Sequence, residues 1–253
     1  MQILNNECLA YHGWGFWANC WQAYESYGKS FTLWKSFDRG YFFPSNPPVC
    51  PNLSSIVFSA DSQTRKVIMV HSLGLHFCPW EILEQAQVLI LFNSFLDFHP
   101  SEPSLRKKSQ RKLDRMIQAF QQTPQTVWYT FLQQTFYPDP ILDEYGFQAC
   151  PPHLQLIANS DRLLQDLERL NQLSSTANSL RSLLKSIPKI LIFTSSQDTI
   201  VSNPIQAIDV SSPGNYVQEI LDDRGGHALP FSHFKRCIAE VERFWFSTEN
   251  ETI

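Results

Sequence analysis

The sequence lacks an excess of basic residues. Its 253 residues contain 20 Lys and Arg against 24 Asp and Glu, so the formal net charge is −4 at pH 7. Proteins that follow nucleic-acid phosphates usually carry a basic excess on the binding surface. We therefore expect no nucleic-acid partner, and any basic patch should be local.

Metal-binding and disulfide patterns are also missing. The cysteines form no CxxC pair, and the histidines form no HExxH pattern, so the spacing indicates neither a zinc site nor a compact disulfide framework. We expect reduced thiols, as in a cytosol, and an activity that needs no metal or cofactor. The cysteines are Cys8, Cys20, Cys50, Cys78, Cys150 and Cys237.

No hydrophobic run is long enough to cross a membrane. The longest, Val88–Phe92, is far short of the ~20 residues that a membrane helix needs. The opening residues MQILNNECLAYHG have neither a basic leader nor a long apolar stretch, so we expect no secretory signal. The interpretation is a cytoplasmic protein, monomeric and without membrane contact.

What the sequence does contain is a set of short apolar runs typical of buried parallel strands. KVIMV at 66–70, QVLILF at 87–92 and KILIFT at 189–194 are nearly continuous, as expected when helices cover both faces of a sheet. Weaker strands are predicted at 8–11, 30–36 and 215–221, and helices at 80–85 and 238–246. Alternating strands and helices predict an α/β domain with a mostly parallel sheet.

The composition changes after Pro100. Residues 101–187 are rich in Gln, Leu and Arg, and their apolar residues recur with helical spacing. We interpret this stretch as a helical lid inserted into one domain. Residues 1–100 would form the first part of the core and residues 188–253 the second part.

Three candidate catalytic residues occur in the chain order Ser72, Asp198, His227. Each directly follows a predicted strand, and the carboxyl ends of parallel strands meet at one edge of a sheet. A serine becomes a good nucleophile when a histidine takes its proton and a carboxylate orients that histidine. The order is that of the α/β-hydrolase fold.

The surroundings of Ser72 match the expected Gly-x-Ser-x-Gly elbow on one side only. Gly74 fits, whereas Val70 stands where glycine is expected. The alternative is that Ser72 caps the following helix, a common role for serine.

The acid and the base each have an alternative. Asp198 is also a plausible helix N-cap, and a lone histidine is more often structural than catalytic. His233 lies near His227 and competes with it, but the spacing after the last strand and the two preceding glycines favour His227.

The early loop HGWG at 12–15 follows a strand and predicts an oxyanion hole. Such a hole needs preorganised N–H donors, one after the nucleophile and one from an early strand-to-helix loop. We assign these donors to the backbone amides of Leu73 and Trp14; the alternative is a plain glycine turn. The turn at Asp38, Arg39 and Gly40 is interpreted as structural.

Together, HGWGFW, the serine elbow, the helical lid, SQDTIV and GGHALPFSH resemble the pimeloyl-ACP methyl ester carboxylesterases of biotin synthesis. The resemblance covers the core along most of the chain. It departs from the family at Val70, at His71 and at the inserted Leu229. It implies an α/β-hydrolase fold, the three roles assigned above, and a methyl ester on a pimeloyl chain carried by acyl-carrier protein as the substrate.

The residues themselves offer contacts for such a carrier and for its acyl chain. An acidic carrier protein would bind a basic patch on the lid, and aromatic residues would line an acyl tunnel. The alternatives are a solvated helix face and ordinary core packing. The patch is Arg106, Lys107, Lys108, Arg111, Lys112 and Arg115, and the tunnel residues are Trp14, Phe16, Phe95 and Phe231.

Three other functions stay open at this point. One is hydrolysis of small esters or thioesters, and another is a lyase reaction on a menaquinone precursor by the same fold. The third is a non-catalytic binding module, which Val70 makes conceivable.

Overall fold

The computed structural model describes residues 6–27, 31–42, 57–59, 64–141 and 159–247. Within these ranges the chain forms a six-stranded sheet in which every neighbouring pair of strands is parallel. The strand order is β2-β1-β3-β4-β5-β6. The strands are β1 (Asn6–Tyr11), β2 (Leu33–Phe37), β3 (Arg65–His71), β4 (Val88–Phe92), β5 (Lys189–Ser195) and β6 (Tyr216–Asp222).

The three apolar runs occupy the centre of the sheet, which confirms the prediction from their composition. All five residues of β4 are buried, because helices cover both faces of the sheet there. The edge strands β2 and β6 are partly exposed. The strand predicted at 30–36 begins at Leu33 and ends at Phe37, and Ser30 lies outside the described residues.

The helices surround this sheet, and two of them differ from the predicted bounds. The helix predicted at 80–85 ends at Leu83, and the last helix begins four residues earlier than predicted, at Phe234, because the His233 carbonyl already accepts from the amides of Arg236 and Cys237. The core helices are α1 (Gln22–Tyr27), α2 (Gly74–Phe77), α3 (Trp80–Leu83), α8 (Ala207–Val210), α9 (Leu229–Ser232) and α10 (Phe234–Ser247).

Between β4 and β5 the described chain is mainly helical, after an irregular stretch at 93–102. The segment contains α4 (Pro103–Gln122), α5 (Pro124–Phe136), α6 (Ser160–Arg169) and α7 (Ala177–Leu184), with a 3-10 helix at Leu170–Ser175. The carboxylate of Glu102 caps α4 by accepting from the amides of Ser104 and Leu105 at 2.9 and 2.7 Å. The division of the chain at 101 and 187 stays a prediction.

Buried ionic contacts fix α6 to the core. Asp166 of α6 accepts from Arg39 at two nitrogens, both at 2.8 Å, and from the Tyr41 hydroxyl at 2.7 Å. The side chain of Asp166 is only 2% exposed. The turn around Arg39 therefore has a structural role, in agreement with its interpretation from the sequence.

The described cysteines are Cys8, Cys20, Cys78 and Cys237; all are buried and unbridged. Cys50, Cys150 and the proline-rich stretch at 45–51 lie outside the described residues. Within the described ranges, no group of three His, Cys, Asp or Glu side chains has the arrangement of metal ligands. No described helix combines the length and the hydropathy required to cross a bilayer.

Candidate active site

The turn between β3 and α2 places Ser72 at the carboxyl edge of the sheet. Ser72 has a φ of +55°, a left-handed conformation that costs a residue with a Cβ atom about 1–2 kcal/mol. Its amide donates to the Phe92 carbonyl at 2.9 Å, which anchors the turn to β4. This is the sharp strand-to-helix turn that an exposed nucleophile needs.

Close backbone contact explains why the turn contains Gly74. A Cβ atom there would collide with the Tyr11 carbonyl oxygen and lie 2.9 Å from that of His12. Val70 lies within the regular strand, buried and in register with Tyr11 and Leu91. The turn therefore forms with valine at the position where the motif has glycine.

The structure brings the three predicted catalytic side chains together. The Nε2 atom of His227 lies 2.8 Å from the Ser72 hydroxyl, and its Nδ1 atom lies 2.7 Å from Oδ2 of Asp198. The side chains of His227 and Asp198 are 0% and 4% exposed, so water does not weaken the pair. Serine, imidazole and carboxylate form one unbroken chain of hydrogen bonds.

Asp198 is held by the backbone that follows it. Its Oδ1 atom accepts from the amides of Ile200 and Val201 at 2.8 and 2.9 Å, which leaves Oδ2 directed at His227. The next described helix begins only at Ala207, so the N-cap alternative is wrong: Oδ1 of Asp198 holds the turn that follows it, and Oδ2 orients His227.

The competing histidine lies elsewhere. The Nδ1 atom of His233 lies 3.4 Å from the Asp139 carboxylate and 3.0 Å from the Ser232 hydroxyl. It is His227, and not His233, that contacts Ser72.

The early glycine loop packs directly against the nucleophile. A Cβ atom on Gly13 would lie 2.8 Å from Cβ of Ser72. The amides of Trp14 and Leu73 have no hydrogen-bond acceptor among the described residues. Two such N–H groups beside a nucleophile are able to donate hydrogen bonds to an oxyanion, and the assignment of this role stays a prediction.

Helices between β4 and β5 pack against this loop through Trp14. The Trp14 indole donates to the Leu163 carbonyl of α6 at 2.8 Å, and its ring packs edge-on against Phe131 of α5 at 4.7 Å. A third contact is made with Phe120 of α4 at 5.9 Å. Helices from the insertion thus position a residue beside the nucleophile.

His12 is neutral in this loop, with a defined tautomer. Its Nε2 atom accepts from the Arg39 amide at 3.0 Å, so its Nδ1 carries the hydrogen and donates to the Gly13 carbonyl at 2.8 Å. Burial lowers the pKa of His12, which favours the same neutral form. His12 thus stabilises the loop by joining it to the backbone at Arg39.

Ser72 opens on a mainly apolar cavity of about 380 Å³ between the core and the helical segment. Trp14 and Phe95 contribute to its wall, and their contact with an acyl chain stays a prediction. The wall also includes Leu73, Phe98, Pro100, Leu105, Leu113, Met116, Phe131, Leu167, Leu170 and Ile200, and the polar side chains of Lys108, Ser109, Lys112, Gln134, Thr199 and Ser202.

Phe16 and Phe231, which were also assigned to the acyl tunnel, do not contribute to the wall of this cavity. Both are buried beside His71, with ring centroids 5.2 and 4.9 Å from the imidazole. An apolar residue near the site packs equally well in the core or on a cavity wall, so aromatic composition alone does not separate the two. The helical periodicity of the insertion was the better signal, because it includes Met116 and Leu167 of the actual wall.

The six basic lid residues are not equivalent. Arg106 forms an ion pair with Asp97 at 2.7 Å, whereas Lys108 and Lys112 lie on the cavity wall and have no ion-pair partner among the described residues. Lys107, Arg111 and Arg115 are exposed along α4.

Comparisons with known proteins give the fold. A scan against protein-family models and a search of curated proteins found no match. Among solved structures, an esterase from Exiguobacterium antarcticum has a TM-score of 0.65 at 14% identity, covering 95% of this chain and 91% of its own. The 2-hydroxy-6-oxo-6-phenylhexa-2,4-dienoate hydrolase of Rhodococcus sp. strain RHA1 gives 0.66 at 16% identity, covering 96% and 92%. An enol-lactonase from Burkholderia xenovorans LB400 gives 0.63 at 12%, covering 96% and 92%.

These similarities confirm the α/β-hydrolase fold that the motif order predicts. At identities this low, the structural similarity establishes the fold alone. The activity has to be inferred from the site itself.

Proposed function

We propose that this protein is a serine hydrolase of carboxylic esters, with Ser72 as nucleophile, His227 as general base and Asp198 as its orienting acid. The observation that carries the proposal is the unbroken hydrogen-bond chain from Asp198 to Ser72 at the end of an apolar cavity. Structures with the same fold include an esterase and an enol-lactonase, which makes ester chemistry the best-supported choice.

The first half of the reaction acylates the enzyme. The Ser72 oxygen attacks the ester carbonyl while Nε2 of His227 takes the hydroxyl proton. The amides of Leu73 and Trp14 donate to the resulting oxyanion, and Asp198 stabilises the imidazolium. The C–O bond to the alcohol then breaks, and the alcohol leaves with the proton from His227.

The second half returns the enzyme to its starting state. Water enters where the alcohol left, and His227 takes its proton as the oxygen attacks the acyl-serine. The same oxyanion donors act again; the bond between the acyl carbon and the Ser72 oxygen then breaks, His227 returns its proton to that oxygen, and the acid is released.

The finer proposal is that the substrate is the methyl ester of a pimeloyl chain on acyl-carrier protein. It is supported by the sequence resemblance, by an apolar cavity suited to a methylene chain, and by the cations on α4. Because the rest of the protein is net acidic, an acidic carrier would be steered to this local patch. Arg106 contributes less, since Asp97 already neutralises it.

Ser72→Ala tests the general proposal. We expect hydrolysis of p-nitrophenyl esters to fall by about 10⁴-fold or more, with an unchanged circular dichroism spectrum and melting temperature. Ser94→Ala is a matched control, because Ser94 is also buried just after a central strand but does not contact His227. Turnover by Ser72→Ala at the rate of the wild type would refute the assignment.

Charge reversal on the lid tests the finer proposal. In Arg111→Glu/Arg115→Glu we expect kcat/KM for methyl pimeloyl-ACP to fall about 10-fold more than kcat/KM for a short ester, with the difference shrinking in high salt. Arg224→Glu/Arg243→Glu, at two exposed arginines on the loop beyond β6 and on α10, is the charge-matched control. Equal losses for both substrates would contradict a carrier site on α4, and rescue of an esterase-deficient biotin auxotroph by the wild-type gene would support the proposed substrate.

A further inference from the structure

The main chain of the base residue is held as tightly as its side chain. The carbonyl oxygen of His227 accepts two side-chain hydrogen bonds, from Nε2 of His71 at 2.9 Å and from Nδ2 of Asn93 at 3.0 Å. His71 is the last residue of β3 and Asn93 directly follows β4. The two donors therefore come from adjacent strand ends at the centre of the sheet.

Neighbouring carbonyls of the same loop are held in the same way. Asn93 also donates to the Gly226 carbonyl at 3.2 Å, and the Ser195 hydroxyl at the end of β5 donates to the Gly225 carbonyl. Asn93 itself has a φ of +45°, a conformation that asparagine tolerates better than most residues. Three successive strand ends thus hold the loop that carries His227.

The state of the His71 ring follows from its partners. A carbonyl oxygen only accepts, so Nε2 of His71 carries the hydrogen. Its Nδ1 atom is buried and has no partner among the described residues, as expected for a neutral ring. Burial, followed by the neighbouring His227, holds the pKa of His71 well below its ordinary value. Phe16 and Phe231 pack on the ring and fix its position.

Because His71 and Ser72 are consecutive, this dipeptide contacts His227 at two separate points. The Ser72 hydroxyl meets the imidazole at 2.8 Å, and His71 meets the carbonyl of the same residue at 2.9 Å. A residue tied at its backbone and at its ring has little freedom to change its distance from the nucleophile.

We propose that His71 is a positioning residue, which holds the main chain of His227 through its Nε2–H donor and so sets the distance between the base and the Ser72 hydroxyl, with Asn93 as the second donor to the same carbonyl. This inference rests on the proposed hydrolase function. It gives a role to a residue at which the chain departs from the family that it resembles.

The test compares an apolar substitution with one that keeps a donor. His71→Leu should lower kcat for a p-nitrophenyl ester by about 10- to 100-fold, as small displacements of a catalytic group do, while KM changes less than about threefold. His71→Gln places an amide donor near the original Nε2 position and should recover kcat to within about threefold of the wild type. A role in packing alone does not predict this recovery, since leucine would pack against Phe16 and Phe231 better than glutamine would.

Asn93→Gly provides a second variant in case His71→Leu does not fold. It removes the other donor and relieves the positive φ, so we expect a folded protein whose kcat is lowered. In the double variant the losses should not be additive, because both donors act on one carbonyl. Glu7→Gln controls for the general effect of changing a buried polar side chain. Glu7 is fully buried near the start of β1, at the opposite end of the strand from the site.

The outcomes separate this inference from the proposed function. If Ser72→Ala retains activity, the proposed function fails. If Ser72→Ala is inactive but folded His71→Leu and Asn93→Gly keep the wild-type kcat, only the positioning role fails. Equal losses in His71→Gln and His71→Leu would also overturn it.

The downfield proton NMR signal of the His227 Nδ1–H should broaden in His71→Leu and persist in His71→Gln and Glu7→Gln.

Discussion

Replacing Asp198 with asparagine should reverse the hydrogen-bond order in the catalytic chain. The new side chain keeps the shape of the carboxylate, but one of its two ends becomes an NH2 donor. The amides of Ile200 and Val201 require an acceptor at the position of Oδ1. The NH2 group must therefore occupy the position of Oδ2 and face Nδ1 of His227.

The energetic preference for this orientation is large. Turning the amide around would leave two backbone N–H groups facing a donor, at about 1–3 kcal/mol each. With the NH2 group facing His227, Nδ1 becomes the acceptor and the ring hydrogen moves to Nε2, where it faces Ser72 and blocks proton transfer. A rate loss of about 10⁴-fold is expected for such a wrong tautomer, which corresponds to about 5.4 kcal/mol.

The assay is kcat/KM for a p-nitrophenyl ester, with the melting temperature measured on the same sample. Asp209→Asn is the control, because Asp209 also accepts from a backbone amide but lies on α8, where it caps the helix and pairs with Arg181. Activity of Asp198→Asn within about tenfold of the wild type would refute the orienting role.

Three further predictions concern the loop, the lid and acid stability. Gly13→Ala should lower kcat about 100-fold or more, measured with the same ester, because the new methyl group would lie 2.8 Å from Cβ of Ser72. Asp166→Leu should destabilise the protein by about 3 kcal/mol in urea unfolding, because it leaves the partly buried Arg39 guanidinium without its carboxylate partner. Because the pKa of His71 is lower in the folded than in the unfolded state, the unfolded state binds the extra proton, and the free energy of unfolding should fall as the pH drops below about 6.5. His71→Gln should flatten that slope.

The fold was accessible from the sequence because its central strands have an unambiguous composition. A run such as Val88–Phe92 is apolar at every position, which fits a strand covered on both faces and no exposed element. Polar residues placed directly after such runs must converge at one edge of a parallel sheet. That topological rule predicts that Ser72, Asp198 and His227 meet, and the local patterns at Gly74 and before His227 support the choice of these residues.

The residues of the cavity wall were harder to predict from the sequence, because an aromatic residue near the site packs equally well in the hydrophobic core. Phe95 lines the cavity, whereas Phe16 and Phe231 pack on His71. The choice depends on how the helical segment lies over the core, and sequence periodicity does not specify that arrangement.

One signal for the positioning residues was present in the sequence. Asn93 directly follows a buried strand, as Ser72 does, and His71 is a polar residue directly after the apolar run at 67–70. Their task was not predictable, because both act through a backbone carbonyl of another segment, and the sequence contains no pattern for such a contact.

Covalent labelling with a fluorophosphonate tests the central claim most directly, since that reagent reacts with a serine activated by a neighbouring base. Intact-mass and peptide mapping of the wild-type protein should find one adduct per chain on Ser72, while Ser72→Ala takes up none and His227→Ala labels far more slowly. A wild-type protein that remains unlabelled, or that carries the adduct on another residue, would contradict the account.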